Sequence, residues 1–104
     1  MSNFVLAYTG GAPAETPEAQ EASMAAWNSW FQSLGDAVVD GGNPFGASVT
    51  VAGDGSTSKG GRSGLTGYSI ISADDLSAAT VHVKGCPLLA DGGTVEVYEV
   101  FNVM

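Results

Sequence analysis

The chain has 104 residues, with 3 Lys or Arg against 11 Asp or Glu, a net charge of −8, and 44% hydrophobic against 13% charged residues. This length suits a single domain over 1–104, and the apolar fraction is that of a chain that folds. So acidic a composition offers no basic surface to nucleic acid or anionic membranes, and no apolar stretch approaches a bilayer span.

Asn3 to Thr9 predicts a first strand, with Phe4, Leu6 and Tyr8 on one face and Val5 and Ala7 on the other. Both faces are apolar, so the strand is expected to be covered on both sides. After a turn over Gly10 to Ala14, a helix is predicted from Pro17 to Leu34, about 27 Å long. Thr16 is its N-cap, Pro17 occupies a position where a missing N–H costs nothing, and Gly35 stops it. Met24, Trp27, Trp30, Phe31 and Leu34 recur at helical spacing and form its apolar face.

Ala37 to Val39 is extended, and Gly41-Gly42-Asn43-Pro44 bends the chain. Ala47 to Ala52 alternates Val49 and Val51 against Ser48 and Thr50, as a half-buried strand does, and Gly53-Asp54-Gly55 signals a hairpin. Ser56 to Gly64 is a short return strand ending in a loop, and Thr66 to Ser72 is the next strand. Asp74 caps a second helix over Asp75 to Lys84, with Leu76, Ala79 and Val83 inward. Gly85 and Pro87 end it, Asp91-Gly92-Gly93 turns, and Thr94 to Val103 is the last strand.

Helices after the first strand and before the last predict a ferredoxin-like β-α-β-β-α-β sandwich, with both helices on one face of an antiparallel sheet. The other face would be bare in a monomer. A homodimer stacking two such sheets is the economical way to cover it.

Few residues carry chemistry. His82 is the only histidine, and a general base needs a positioned partner. Its offset from the inner stripe points it toward solvent. His82 and Cys86 are two ligands, too few for structural zinc, so no metal is expected. A lone cysteine is usually a buried free thiol, and Cys86 fits a reducing cytosol, as does a start at Met1-Ser2-Asn3-Phe4 without signal-peptide character. Glu99 shares a face with Val95, Val97, Phe101 and Val103 under strict alternation. It is either a buried acid or lies in water at a bulge or strand edge. Gly55-Ser56-Thr57-Ser58-Lys59-Gly60 lacks the Lys-Ser/Thr step and following helix of a phosphate loop, and no cofactor is expected. Trp27 and Trp30 are either core or the wall of a pocket between helix and sheet, with Tyr8, Asn43 and Tyr68 as its other candidate ligand-binding residues.

In this order, Gly67-Tyr68-Ser69-Ile70-Ile71, the helix start Ala73-Asp74-Asp75-Leu76 and Gly93-Thr94-Val95-Glu96-Val97 resemble the YCII-related, or DGPF-domain, family. The opening strand and the Trp-rich helix fit as well. The resemblance implies a dimeric α+β barrel of ferredoxin-like protomers. Some relatives carry a His–Asp pair, and those positions fall here at about Trp27 and at Cys86 before Pro87. Neither side chain can replace its counterpart. The DGPF tetrapeptide is also absent, echoed only by Asn43-Pro44-Phe45. Three functions follow: a small-molecule-binding domain, a cofactor-independent lyase, isomerase or oxygenase using His82, Glu99 or Cys86, or an interaction dimer without a pocket. The first is the expected one.

Overall fold

Strand β1 (Ser2–Thr9) forms the middle of the sheet in the computed structural model, which describes residues 1–11 and 15–101. It pairs antiparallel with β5 (Leu65–Ala73) on one side and β6 (Thr94–Glu99) on the other. Strand β2 (Val38–Asp40) joins the far side of β5, so the order is β2-β5-β1-β6. The architecture is α+β, a four-stranded antiparallel sheet with helices. Among the described residues, no helix is long and apolar enough to cross a membrane.

Residues directly opposed across antiparallel strands share a face. Phe4 faces Ile71 and Glu99, Leu6 faces Ser69 and Val97, and Tyr8 faces Gly67 and Val95. On this face Phe4, Leu6 and Ile71 are fully buried, and Trp30, Ala79, Val83 and Cys86 close the core over them. Helices α1 (Pro17–Leu34) and α2 (Leu76–Val83) each lead from one strand to another parallel to it, and crossovers of one hand deliver both to the same side.

The opposite face carries Val5, Ala7, Tyr68, Ile70 and Tyr98, with the carboxylates of Asp40 and Glu96 accepting from Tyr68 and Tyr98 beside them, and among the described residues no helix packs there. Phe45 is stacked on Tyr68, with ring centroids 5.6 Å apart. Expected cover on both sides of β1 is therefore met on one side only among the described residues. Val5 is half-buried and Ala7 buried by their neighbours within the sheet.

α1 has the predicted limits. Thr16 Oγ1 accepts from the Ala19 N–H at 3.1 Å, and Gly35, at φ +56°, donates its N–H to the Phe31 carbonyl. Trp30 is its one buried residue, and its Nε1 donates to the His82 carbonyl at 3.0 Å, tying α1 to the last turn of α2. Met24 is 67% exposed, while Trp27, Phe31 and Leu34 are half-buried, so the apolar face of α1 is only partly covered.

Several expectations are corrected. Val49 and Val51 lie in β3 (Val49–Val51), which pairs only with β4 (Thr57–Lys59) in a hairpin apart from the main sheet. With no layer over the hairpin among the described residues, both valines are exposed. Thr50 is the half-buried residue, because its hydroxyl donates to Gly60 O at 2.7 Å and accepts from the Arg62 N–H. Asp75 rather than Asp74 caps α2, accepting from the Ala78 N–H at 2.8 Å. That register leaves Leu76 exposed. A short helix α3 (Pro87–Ala90) was not predicted, and a 3-10 turn over Gly35–Ala37 delays β2 by one residue. β6 stops at Glu99; the expected extension to Val103 runs past Phe101 outside the described residues, as does the Ala12–Ala14 part of the first turn.

Candidate functional site

Between α1 and the sheet opens a cavity of about 450 Å³. Gly42 begins its construction. At φ +75° it adopts backbone that side chains avoid, and a Cβ there would collide with the Tyr68 carbonyl, so only glycine lets the chain run this close to β5. Phe45 N–H then donates to Thr66 O at 2.9 Å, and Pro44 bridges Gly67. Gly67 in turn lets the wall sit close, because a Cβ would lie 3.2 Å from Asn43 O and 3.3 Å from Pro44 Cα, which would have to give by a few tenths of an ångström. Two glycines therefore seat residues 41–44 as one wall.

The opposite wall is α1. Trp27 stands edge-on to Tyr8, with centroids 5.4 Å apart, and leans on Phe31 at 5.9 Å. Met24 and Leu88 extend this apolar side. Ser23, Asn28 and Asn43 also border the space, and the side-chain amides of Asn28 and Asn43 make no hydrogen bond among the described residues. Beneath lie Tyr8, Thr66, Gly67 and Ser69 of β1 and β5.

That floor is wired internally. Tyr8 Oη donates to Ser69 Oγ at 2.7 Å, and Ser69 Oγ donates to the Gly41 carbonyl at 2.7 Å. Ser69 is wholly buried, and this chain satisfies it. Burial above all pushes the Tyr8 phenol up from 10.0 to about 12, with a smaller push from Cys86 and an opposing pull from the Ser69 hydrogen bond. Tyr8 is thus a neutral hydroxyl at physiological pH.

Of the residues singled out from sequence, Tyr8, Trp27, Asn43 and Tyr68 all border this one cavity. Alternation turns the Tyr68 ring to the open face of the sheet, where its hydroxyl makes a long 3.4 Å hydrogen bond to Asp40. His82, Glu99 and Cys86 do not border the cavity. His82 is half-buried rather than solvent-facing, because the Trp30 hydrogen bond draws α1 over its turn. Glu99 ends β6 in water. Cys86 is a free buried thiol, and burial pushes it above the ordinary thiol range, away from reactivity. Among the described residues no three His, Cys, Asp or Glu side chains gather as a metal set would. Sequence reasoning missed Ser69, Thr66 and the Gly41–Gly42 wall. Only the Gly-Gly-Asn-Pro run hinted at them.

A second groove, about 790 Å³, flanks the other side of α1. It is larger, and its walls are the small residues Ala19, Ala22, Ala26, Ser29 and Ser33 of α1, with Trp30 as its one aromatic ring and Asp91 across from them among the described residues. The smaller cavity has the aromatic wall and focused polar floor typical of ligand sites.

The chain matches no protein-family model, no curated protein and no solved structure.

Proposed function

We propose that the protein is a small-molecule-binding domain, a ferredoxin-like protomer of a YCII-like dimeric α+β barrel, with its ligand between α1 and the sheet. The observation that carries this reading is the convergence of Trp27, Asn43, Tyr8 and Ser69, from four separate segments, on one cavity of about 450 Å³. The strand order β2-β5-β1-β6 agrees with the ferredoxin-like arrangement.

Binding is favoured over catalysis by the ionisable groups at hand. Proton transfer near neutrality needs a group that titrates there. The cavity floor offers Tyr8, neutral until about pH 12, and His82, Glu99 and Cys86 lie elsewhere. The free Cys86 thiol goes with a reducing, cytoplasmic setting.

The partner in this reading is a second copy, sheet against sheet. Val5, Ala7, Ile70 and Tyr98, with Tyr68 under Phe45 and with Asp40 and Glu96 beside them, make the face that no helix covers among the described residues, on a body only 18 Å thick. The apolar part of such a face is covered by a like one at about 10 Å, with Asp40 and Glu96 held by the Tyr68 and Tyr98 hydroxyls.

Native mass spectrometry of freshly purified protein tests both parts. The expected species is a dimer carrying a small molecule that leaves on denaturation. A monomer would overturn the sheet stacking, and a metabolite screen that leaves every cavity amide unshifted in NMR spectra would overturn the binding role.

A further inference from the structure

The hydroxyl groups on the floor of the cavity have already committed their protons. A carbonyl can only accept, so the single proton of Ser69 lies on its bond to Gly41 O. Tyr8 Oη must then give its own proton to Ser69 Oγ. Thr66 Oγ1 likewise donates to the Tyr8 carbonyl, at 3.2 Å. Each hydroxyl has one proton and two lone pairs. What Tyr8 and Thr66 still offer a visitor is acceptor capacity alone.

The walls add a second constraint. Among the described residues no Lys, Arg, His, Asp or Glu borders the cavity, and its apolar side is built on the flat rings of Trp27 and Phe31. We propose that the cavity selects an uncharged aromatic ligand that presents a hydrogen-bond donor, a ring N–H or a hydroxyl, to Tyr8 and Thr66. This rests on the binding role proposed above and narrows its ligand.

The alternatives fail on charge. A carboxylate or phosphate would meet lone pairs, with no cation to offset them, in a chain of net charge −8. An ammonium would leave water without a carboxylate beside it. A ligand with only acceptors would leave the floor unsatisfied on both sides of the contact. The amides of Asn28 and Asn43 and the Ser23 hydroxyl can donate or accept, and the Trp27 N–H on the wall can only donate, so it is the floor alone that asks for a donor.

The test compares indole with benzofuran, its isostere in which the N–H is replaced by an acceptor oxygen, and with indole-2-carboxylate. Each is titrated into the ¹⁵N-labelled full chain by NMR. Indole is expected to shift the Gly67 and Ser69 amides and to bind about tenfold more tightly than benzofuran, the size of one unmet buried hydrogen bond. Tyr8→Phe should cut that preference to about threefold or less, as the acceptor is lost. Thr66→Val provides the same comparison at an exposed position if Tyr8→Phe does not fold. Benzofuran binding as tightly as indole, or the carboxylate binding tightest, overturns the donor requirement while leaving a ligand cavity in place. Folded protein in which none of the three compounds shifts a cavity amide overturns the aromatic-ligand proposal, and the binding role itself falls only if the metabolite screen also leaves those amides unshifted.

Discussion

Tyr8 and Ser69, 61 residues apart, are joined by a 2.7 Å hydrogen bond across β1 and β5, and Ser69 passes the connection on to Gly41. Three strands' worth of chain thereby meet at one buried oxygen. Ser69→Ala strands the Tyr8 proton and the Gly41 carbonyl together. It is expected to lower unfolding free energy by about 1–3 kcal/mol in urea titrations. A variant as stable as the parent would mean that water reaches this floor.

The same phenol sets an alkaline limit. Its folded value is raised from 10.0 to about 12, so the folded state holds the proton more tightly than the unfolded chain does. The stabilisation is complete below pH 10 and is lost as pH rises from 10 toward 12. Absorbance titration near 295 nm should show Tyr8 titrating late, beside a Tyr98 that its Glu96 hydrogen bond also raises, and urea midpoints should fall over that window. Tyr8→Phe should remove the Tyr8 share of both effects and leave that of Tyr98.

The two tryptophans should separate cleanly. Trp30 is buried and bonded to His82 O, so Trp30→Ala should cost about 3–5 kcal/mol, measured by denaturant unfolding. Trp30→Phe retains most of the packing and reports the hydrogen bond, about 1 kcal/mol. Trp27 is only half-buried beside the cavity, so Trp27→Ala should destabilise less than Trp30→Ala. Equal losses would make Trp27 core.

Gly42→Ala puts a Cβ into the Tyr68 carbonyl at positive φ, and residues 41–44 must leave β5 to relieve it. A loss of at least about 1–2 kcal/mol is expected from the left-handed backbone alone. Gly46→Ala, where no atom lies within 4 Å, is the control and should change stability by less than about 0.5 kcal/mol. Thermal melts of the pair decide it.

Cys86 should be silent toward a thiol reagent in the native state and react fast in denaturant. Burial both shields it and raises its pKa. Prompt native labelling would show that the α2–α3 junction opens readily.

What was legible in the sequence follows range of interaction. Thr16, Pro17 and Gly35 mark α1 to the residue because capping is local. Trp27 and Tyr8 could be suggested as facing one another, since helix and strand periodicity are local too. Ser69 could not, because its role depends on lying across from Leu6 and near Gly41, and register is a property of the assembled sheet. Val49 and Val51 show the complementary failure. Alternation announces a strand, but only the tertiary structure decides whether anything lies over its apolar side. Pro87-Leu88-Leu89-Ala90 is too short for any periodic signal.

The β3–β4 hairpin stands outside the main sheet, joined to it by chain rather than by pairing. At its tip, Gly53 and Gly55 have open space around them, and Asp54 folds the turn by accepting from both the N–H and the hydroxyl of Ser56. Two three-residue strands contribute little to global stability. Foreign sequence spliced into this tip, whether an epitope or a whole second domain, would therefore load neither the sheet nor the cavity. The fold carries a built-in graft point, through which the domain can be wired to another activity while its own structure stays unchanged.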